Sequence, residues 1–283
     1  MTNDAKGANI DQYTVDGFGE EWSAFTQAEL PPEEQRRIFL AYFEPFPFDE
    51  LAADAEGFDF GCGSGRWADM VHGRVGLLHC IDASQKALDV CRHTLADANN
   101  VRFHLSGPDN IPLAPQSQDF GYSLGVLHHI PDTKAAMQAC VDLLKPGAPF
   151  LAYLYYDFDN RPGWFRALWK ASDAVRRVIS DRPFAQRKFT TTLIAGAVYW
   201  PLARASLLLE KAGMKVGALP LSFYRKTSFY VMRTDALDRF GTRLEQRFSR
   251  AAIAAMMEEC GLRDIRFREG EPYWVACGRK ANT

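Results

Sequence analysis

The sequence predicts an α/β protein, a mostly parallel seven-stranded sheet with helices on both faces. Three observations predict it. From residue 56 onward, short apolar runs alternate with segments long enough for helices; a glycine-rich turn, Gly61-Cys62-Gly63-Ser64-Gly65, follows the first run; and Asp82 ends the second. Strands separated by helical crossovers form parallel sheets with right-handed connections.

Taken in order, residues 10–30 hold Tyr13, Phe18, Trp22 and Phe25 among polar residues, too sparse a pattern for a regular amphipathic helix. Pro31-Pro32-Glu33-Glu34 then opens a helix to about Phe43, because a first turn accepts prolines and acidic side chains. Residues 1–50 are expected to form an N-terminal helical lid with Trp22 facing the substrate, the alternative being that its aromatics seal the sheet edge. Strands are expected at 57–60, 76–81, 101–105, 119–124 and 149–155, and helices at 66–72, 84–96 and 133–144. Ser84 is an N-cap and Pro146-Gly147 a stop. Residues 51–159 thus make the core.

A long insertion, residues 160–248, separates this core from its last elements. Residues 164–179 carry an apolar stripe through Trp164, Leu168, Ala171, Val175 and Val178. Residues 193–203 are almost uncharged but shorter than the roughly 18 to 20 residues that span a bilayer. They can pack across the pocket, form a homodimer face or lie at a membrane surface. The aromatic and β-branched residues of 221–232 read as an extra hairpin closing the site. In 249–283, Ser249 caps a helix to Cys260, Gly261 ends it, and 265–268 and 273–278 are the last two strands.

The net charge of −2 hides an asymmetry: residues 1–159 hold 10 basic and 24 acidic side chains, residues 160–250 hold 18 and 6. Such a basic field attracts an anionic small molecule or a phosphate-rich membrane surface. No nucleic-acid recognition motif accompanies it, so nucleic acid is not expected as a partner. The six cysteines show no Cys-x-x-Cys pair, which predicts reduced thiols and no metal site. The polar start of the chain lacks the pattern of a signal peptide, and a cytoplasmic protein is expected.

Three glycines at alternate positions imply positive φ angles or a ligand lying against the backbone. In the dinucleotide fingerprint a third glycine stands three residues after the second; here that place is Arg66, which disfavours a dehydrogenase. Asp82, about 20 residues beyond the turn, is placed to accept both hydroxyls of a ribose. After the fourth strand, His128 and His129 are candidate general bases, since an imidazole near neutral pKa takes a proton from an attacking oxygen or nitrogen. Tyr155 and Tyr156 end the fifth strand as candidate substrate walls, and Tyr224 and Arg225 are candidates for holding an anionic group.

Asp59 to Trp67, Ile81-Asp82-Ala83-Ser84, Ile111-Pro112-Leu113 with Asp119-Phe120, and Leu144-Lys145-Pro146-Gly147 together resemble the class I S-adenosylmethionine-dependent methyltransferases. The nearest broad group is that of the ubiquinone and menaquinone biosynthesis methyltransferases, and the resemblance covers roughly residues 56–156. It implies a Rossmann-like fold with S-adenosyl-L-methionine as cofactor and S-adenosyl-L-homocysteine as product. It further implies that Gly61, Cys62, Gly63, Gly65 and Trp67 surround the methionine part, Asp82 holds the ribose, Ala83 lies on the adenine, and Leu124 with Gly125 pass beneath the methionine end. Many relatives carry an acidic residue where this chain has Gly107, so adenine recognition falls to Ser106, to Asp109 or to shape. The expected reaction is methyl transfer to an O or N atom of a small molecule such as a phosphate-bearing sugar or sugar nucleotide. The alternatives are a lipid or quinone acceptor at a membrane surface and a non-catalytic cofactor-binding scaffold.

Overall fold

In the computed structural model, which describes residues 8–217 and 219–282, the expected sheet is present. Helices α1 (Gln12–Ala24) and α2 (Pro32–Tyr42) precede β1 (Glu56–Phe60), α3 (Arg66–Val71), β2 (Leu77–Asp82), α4 (Gln85–Thr94), β3 (Val101–Leu105), β4 (Phe120–Leu124), α5 (Thr133–Asp142) and β5 (Pro149–Tyr153). The insertion supplies α6 (Gly163–Ser180), α7 (Phe184–Ile194), α8 (Trp200–Lys211) and α9 (Phe229–Gly241); α10 (Arg250–Glu259), β6 (Leu262–Phe267) and β7 (Val275–Lys280) complete the fold. The strand order is β3-β2-β1-β4-β5-β7-β6, parallel except that β7 runs antiparallel to both its neighbours.

The strands are apolar on both sides because both faces of the sheet are covered. On one face Leu78, Cys80, Tyr122 and Leu151 pack with Phe39, Phe43 and Trp67; on the other Phe58, Phe60 and Phe150 pack with Met137 and Met257. Ser84 accepts from the amide of Ala87 and Ser249 from that of Ala252, as their N-cap reading requires, and Gly261 takes φ +87°. The strand order reverses between the parallel neighbours β1 and β4, where connections leave to opposite sides and open a crevice at the strands' C-terminal ends.

Three local expectations are corrected. Residues 12–24 form a regular helix, capped by Asp11, whose Oδ1 accepts from the amide of Thr14 at 2.8 Å. Its buried positions are Thr14, Gly19 and Glu21, so no apolar stripe marks it; its inward side faces a cavity rather than a core.

The hairpin expected at 221–232 is helical: a 3₁₀ turn, Ser222–Lys226, leads into α9, which Ser228 caps by accepting from the amide of Val231. Tyr230, Val231, Thr234 and Leu237 recur at helical spacing and are buried. Tertiary burial overrides the β-preference of the aromatic and branched residues.

The apolar run at 193–203 belongs to a longer element. A π-helical segment, Ala195–Tyr199, joins α7 to α8, giving a 28-residue helix from Phe184 to Lys211 that is long and apolar enough, by length and composition, to cross a membrane. Its inward side, with Arg187, Thr191, Ala195, Tyr199 and Ala203, packs in the molecule, while Phe189, Leu193, Trp200 and Leu208 are exposed.

Candidate active site

One cavity of about 680 Å³ runs from the glycine turn through the crevice and under the insertion. The turn after β1 holds Gly61, Gly63 and Gly65 at φ +79°, +54° and +80°. A Cβ on Gly61 would stand 2.3 Å from Val126 Cγ2, and one on Gly63 2.8 Å from Trp22 Nε1, so the turn is closed on two sides by side chains as well as open to a ligand. Gly65 serves another purpose. It caps α3 and lets the side chain of Cys91 approach, its own Cβ position being 2.8 Å from Cys91 Sγ, and it does not line the cavity.

Asp82 ends β2 beside this turn. Its Oδ2 accepts from the amide of Gly63 at 2.9 Å and its Oδ1 from the amide of Ser84 at 2.8 Å. Burial pushes the carboxyl up to about 6 against the pull of these amides. The carboxylate faces the cavity with acceptor capacity to spare, and hydroxyl donors of a ligand would offset its desolvation. Next along the wall come Ala83 and then Ser106, Gly107 and Pro108, a narrow slot of small side chains. Cys62, Trp67, Leu124 and Gly125 line the opposite end.

These residues fit S-adenosylmethionine. The lining offers a positive-φ glycine turn, a desolvated carboxylate and a stretch of small side chains, groups that would suit its methionine part, ribose and adenine. Asp109 stands apart from the cavity lining. Its Oδ2 accepts from the amide of Asn9 at 2.7 Å, and Asn9 in turn bridges to the backbone of Asp132, so Asp109 ties down the segment that leads into α1.

Inward from Gly125 the walls change character. Trp22, Phe18 and Glu21 come from α1, Tyr153, Tyr155 and Tyr156 from the end of β5, and Tyr224, Asp235 and Asp238 from the insertion. The two histidines separate. His128 is fully buried, its ring 3.9 Å from that of Tyr155, with neither nitrogen hydrogen-bonded, and it does not line the cavity. Burial and then the neighbouring His129 hold it well below the ordinary imidazole range.

His129 lines the cavity. Its Nδ1 is 2.6 Å from the carbonyl of Leu244, which can only accept, so the proton sits on Nδ1 and Nε2 presents a lone pair. Nε2 stands 3.9 Å from Asp238 Oδ1. Tyr155 donates its hydroxyl to the other oxygen of the same carboxylate. Burial lowers the His129 pKa and raises that of Asp238, so the two approach one another and can share a proton.

The expectation of an anionic acceptor meets a different arrangement. Arg225 lies outside the cavity lining, in a double contact with Glu210 at 2.9 and 3.0 Å. Arg247 is bonded to Glu245 at 2.8 Å and Arg161 to Glu271 at 2.5 Å. The excess positive charge of the insertion is therefore largely paired or turned outward. Sequence reasoning also missed Asp235 and Asp238. The available signal was that two of the six acids in a strongly basic segment stand three residues apart, on one side of a helix.

The cysteines are less scattered than the sequence suggests. The thiols of Cys62, Cys80 and Cys91, from the glycine turn, β2 and α4, converge to within 4.8 Å of one another beneath the turn. Hydrogen bonds from the other two thiols bring Cys91 down to about 5.

Residues 58–152 match the model of the methyltransferase domain family. Together with the strand order and the glycine turn in register with Asp82, this places the domain among the class I S-adenosylmethionine-dependent methyltransferases. Among curated proteins the chain is 35% identical over 91 residues to the ubiquinone biosynthesis O-methyltransferase of Thiobacillus denitrificans, covering 31% of this chain and 39% of that one. It is 26% identical over 145 residues to the protein of the same name from Xanthomonas euvesicatoria, covering 50% and 61%. The chain thus matches about two fifths to three fifths of the length of these relatives. The fold is shared with phosphoethanolamine N-methyltransferase 2 of Haemonchus contortus, at a TM-score of 0.50 and 18% identity over 93% of this chain and 45% of that one.

Proposed function

We propose that the protein transfers the methyl group of S-adenosylmethionine to an oxygen or nitrogen atom of a small-molecule acceptor bound in the inner part of the cavity. The observation that carries this reading is the continuity of the cavity. A glycine turn with Asp82 at one end and the Tyr155–Asp238–His129 group at the other share one continuous cavity.

S-adenosylmethionine supplies, when bound, a methyl group on a positively charged sulfur. Little covalent assistance is needed, and the protein's task is to orient, to exclude water and to accept a proton. Gly61, Gly63, Asp82 and the slot at Ala83 and Gly107 fix one reactant. Trp22 and Phe18 from α1 cover the junction and keep water out. Fixing both reactants contributes several kcal/mol, of the roughly 7 to 11 available to well-oriented reactions. Asp238, whose side chain keeps 26% of its area open, takes the acceptor's proton, with His129 Nε2 standing behind it. Such a base contributes about 10²- to 10⁴-fold.

A second feature favours an acceptor with an apolar portion. Leu168 and Val175 of α6 and Val198 and Leu202 of the facing helix line the cavity and are also 44–52% exposed, so its mouth is apolar. That suits a quinone-like or lipid-like acceptor, the class named by the curated relatives, better than a phosphate-bearing sugar. Incubation of the protein with S-adenosylmethionine and a panel of phenolic and amine acceptors tests the reading by mass spectrometry. The expected result is a product heavier by one CH₂ and a matching yield of S-adenosylhomocysteine. Cofactor binding without turnover on any acceptor would favour a scaffold instead.

A further inference from the structure

The inner cavity holds three carboxylates, and its cations are engaged elsewhere. Glu21 of α1 is only 4% exposed, lines the cavity, and its Oε1 has no hydrogen-bond partner. Asp235 and Asp238 of α9 face the same space. Among the described residues no Lys or Arg comes within 4.0 Å of any of these three carboxylates; the one basic side-chain nitrogen that does, His129 Nε2 beside Asp238, carries no proton while Nδ1 donates to Leu244. Arg247 and Arg239 turn instead to Glu245, at 2.8 and 3.6 Å. Arg66 also lines the cavity and sits over Trp67, 4.3 Å from the ring centroid, and over Trp22 at 5.5 Å, so its charge acts on the three carboxylates only from a distance.

Carboxylates taken out of water without a cation in contact are costly, and a cation arriving in the cavity is the group that relieves them. The same cavity is lined by Phe18, Trp22, Tyr155, Tyr199 and Tyr224, whose aromatic rings also attract positive charge. From this arrangement we infer that the acceptor presents an ammonium group to Glu21, Asp235 and Asp238, and that the protein methylates nitrogen. The inference rests on the proposed methyl transfer and narrows its acceptor to an amine.

The chemistry balances on residues in place. The bound ammonium gives one proton to Asp238, which Tyr155 and His129 flank, and the freed nitrogen lone pair forms the new N–C bond as the C–S bond breaks. The bonding electron pair leaves on sulfur. The products are a methylated ammonium, S-adenosylhomocysteine and a proton that departs through the Asp238–His129 pair. Glu21 and Asp235 remain as the counter-charge for the product, which stays cationic.

Calorimetry on the protein saturated with S-adenosylhomocysteine tests this without turnover, using choline and its neutral isostere 3,3-dimethylbutan-1-ol. Choline is expected to bind at least about tenfold more tightly, since charge alone distinguishes the two. Glu21→Gln and Asp235→Asn, each close to isosteric, should remove most of that preference and leave the affinity for the alcohol unchanged. Equal binding of the two probes, no binding of either, or a preference indifferent to both variants would overturn the inference and leave the phenol reading of the acceptor. Failure of S-adenosylhomocysteine to bind would instead strike the methyl-transfer reading itself. The probe comparison would then be made on the cofactor-free protein, where the same carboxylates line the cavity and the same preference is expected.

Discussion

His129 Nε2 stands 3.9 Å from Asp238 Oδ1 while its Nδ1 is committed to the carbonyl of Leu244 at 2.6 Å, which leaves Nε2 no role in holding the backbone and points its lone pair at a carboxylate. Neither ring nitrogen of His128, one residue earlier, has a hydrogen-bond partner. The pair therefore predicts a division of labour. Asp238→Asn and His129→Gln should lower kcat by about 10²-fold or more with cofactor affinity unchanged. His128→Phe should leave kcat within a few-fold of wild type and hold or raise the melting temperature, because two unsatisfied buried nitrogens are replaced by carbon. Equal losses of kcat on replacing either histidine would contradict the assignment.

The carboxyl cluster predicts an inverted pH dependence of stability. Burial first, and Asp238 second, push Asp235 up to about 7, against an unfolded value of about 3.9. A folded state that holds a proton the unfolded chain releases is most stable below the lower value and loses that advantage as pH rises through the higher one. The cofactor-free protein should thus melt at progressively lower temperature between pH 4 and pH 7. Asp235→Asn should flatten part of that slope and gain on the order of 1 to 3 kcal/mol relative to wild type at pH 8. A rise in melting temperature of the wild type across the same window would contradict the raised value.

Gly63 predicts a coupling between the lid and the cofactor seat. Its φ of +54° disfavours any side chain, and a Cβ would meet the Trp22 indole at 2.8 Å. Gly63→Ala is expected to cost about 1 to 2 kcal/mol of stability and to weaken S-adenosylhomocysteine binding by about tenfold or more. Adding Trp22→Ala should restore part of the stability by removing the clash, though not the strain of φ. Calorimetry and thermal melts on the single and double variants distinguish the two contributions.

The core was legible because its sequence obeys local rules. β1, β2 and β4 are each followed by a helix, the latter two capped by Ser84 and Asp132, and the glycine turn and Asp82 fall where a parallel sheet brings them side by side. The insertion was not legible as structure. Tyr224 to Met232 carry strand-like composition, yet Ser228 starts a helix whose buried face is set by α7 and Phe25, contacts no local pattern encodes. The first helix escaped for the opposite reason: its inward residues, Thr14, Glu21 and Trp22, serve a cavity, and a cavity-facing helix has no apolar stripe. Arg225 shows how block charge misleads, since Glu210 neutralises it from the neighbouring α8. The spacing of Asp235 and Asp238 was a weak signal, and their significance arises only when the end of β5, α1 and α9 meet around one cavity.

In the proposed function, Asp82 and the glycine turn form the seat for S-adenosylmethionine. The direct measurement is calorimetric titration of wild type and Asp82→Ala with S-adenosylhomocysteine, alongside a nicotinamide dinucleotide. The account predicts single-site binding of S-adenosylhomocysteine to wild type, a loss of about 100-fold in the variant from removing charge-assisted hydrogen bonds worth roughly 1.5 to 3 kcal/mol each, and no binding of the dinucleotide. Unchanged affinity in Asp82→Ala, or binding of the dinucleotide in place of S-adenosylhomocysteine, would contradict it.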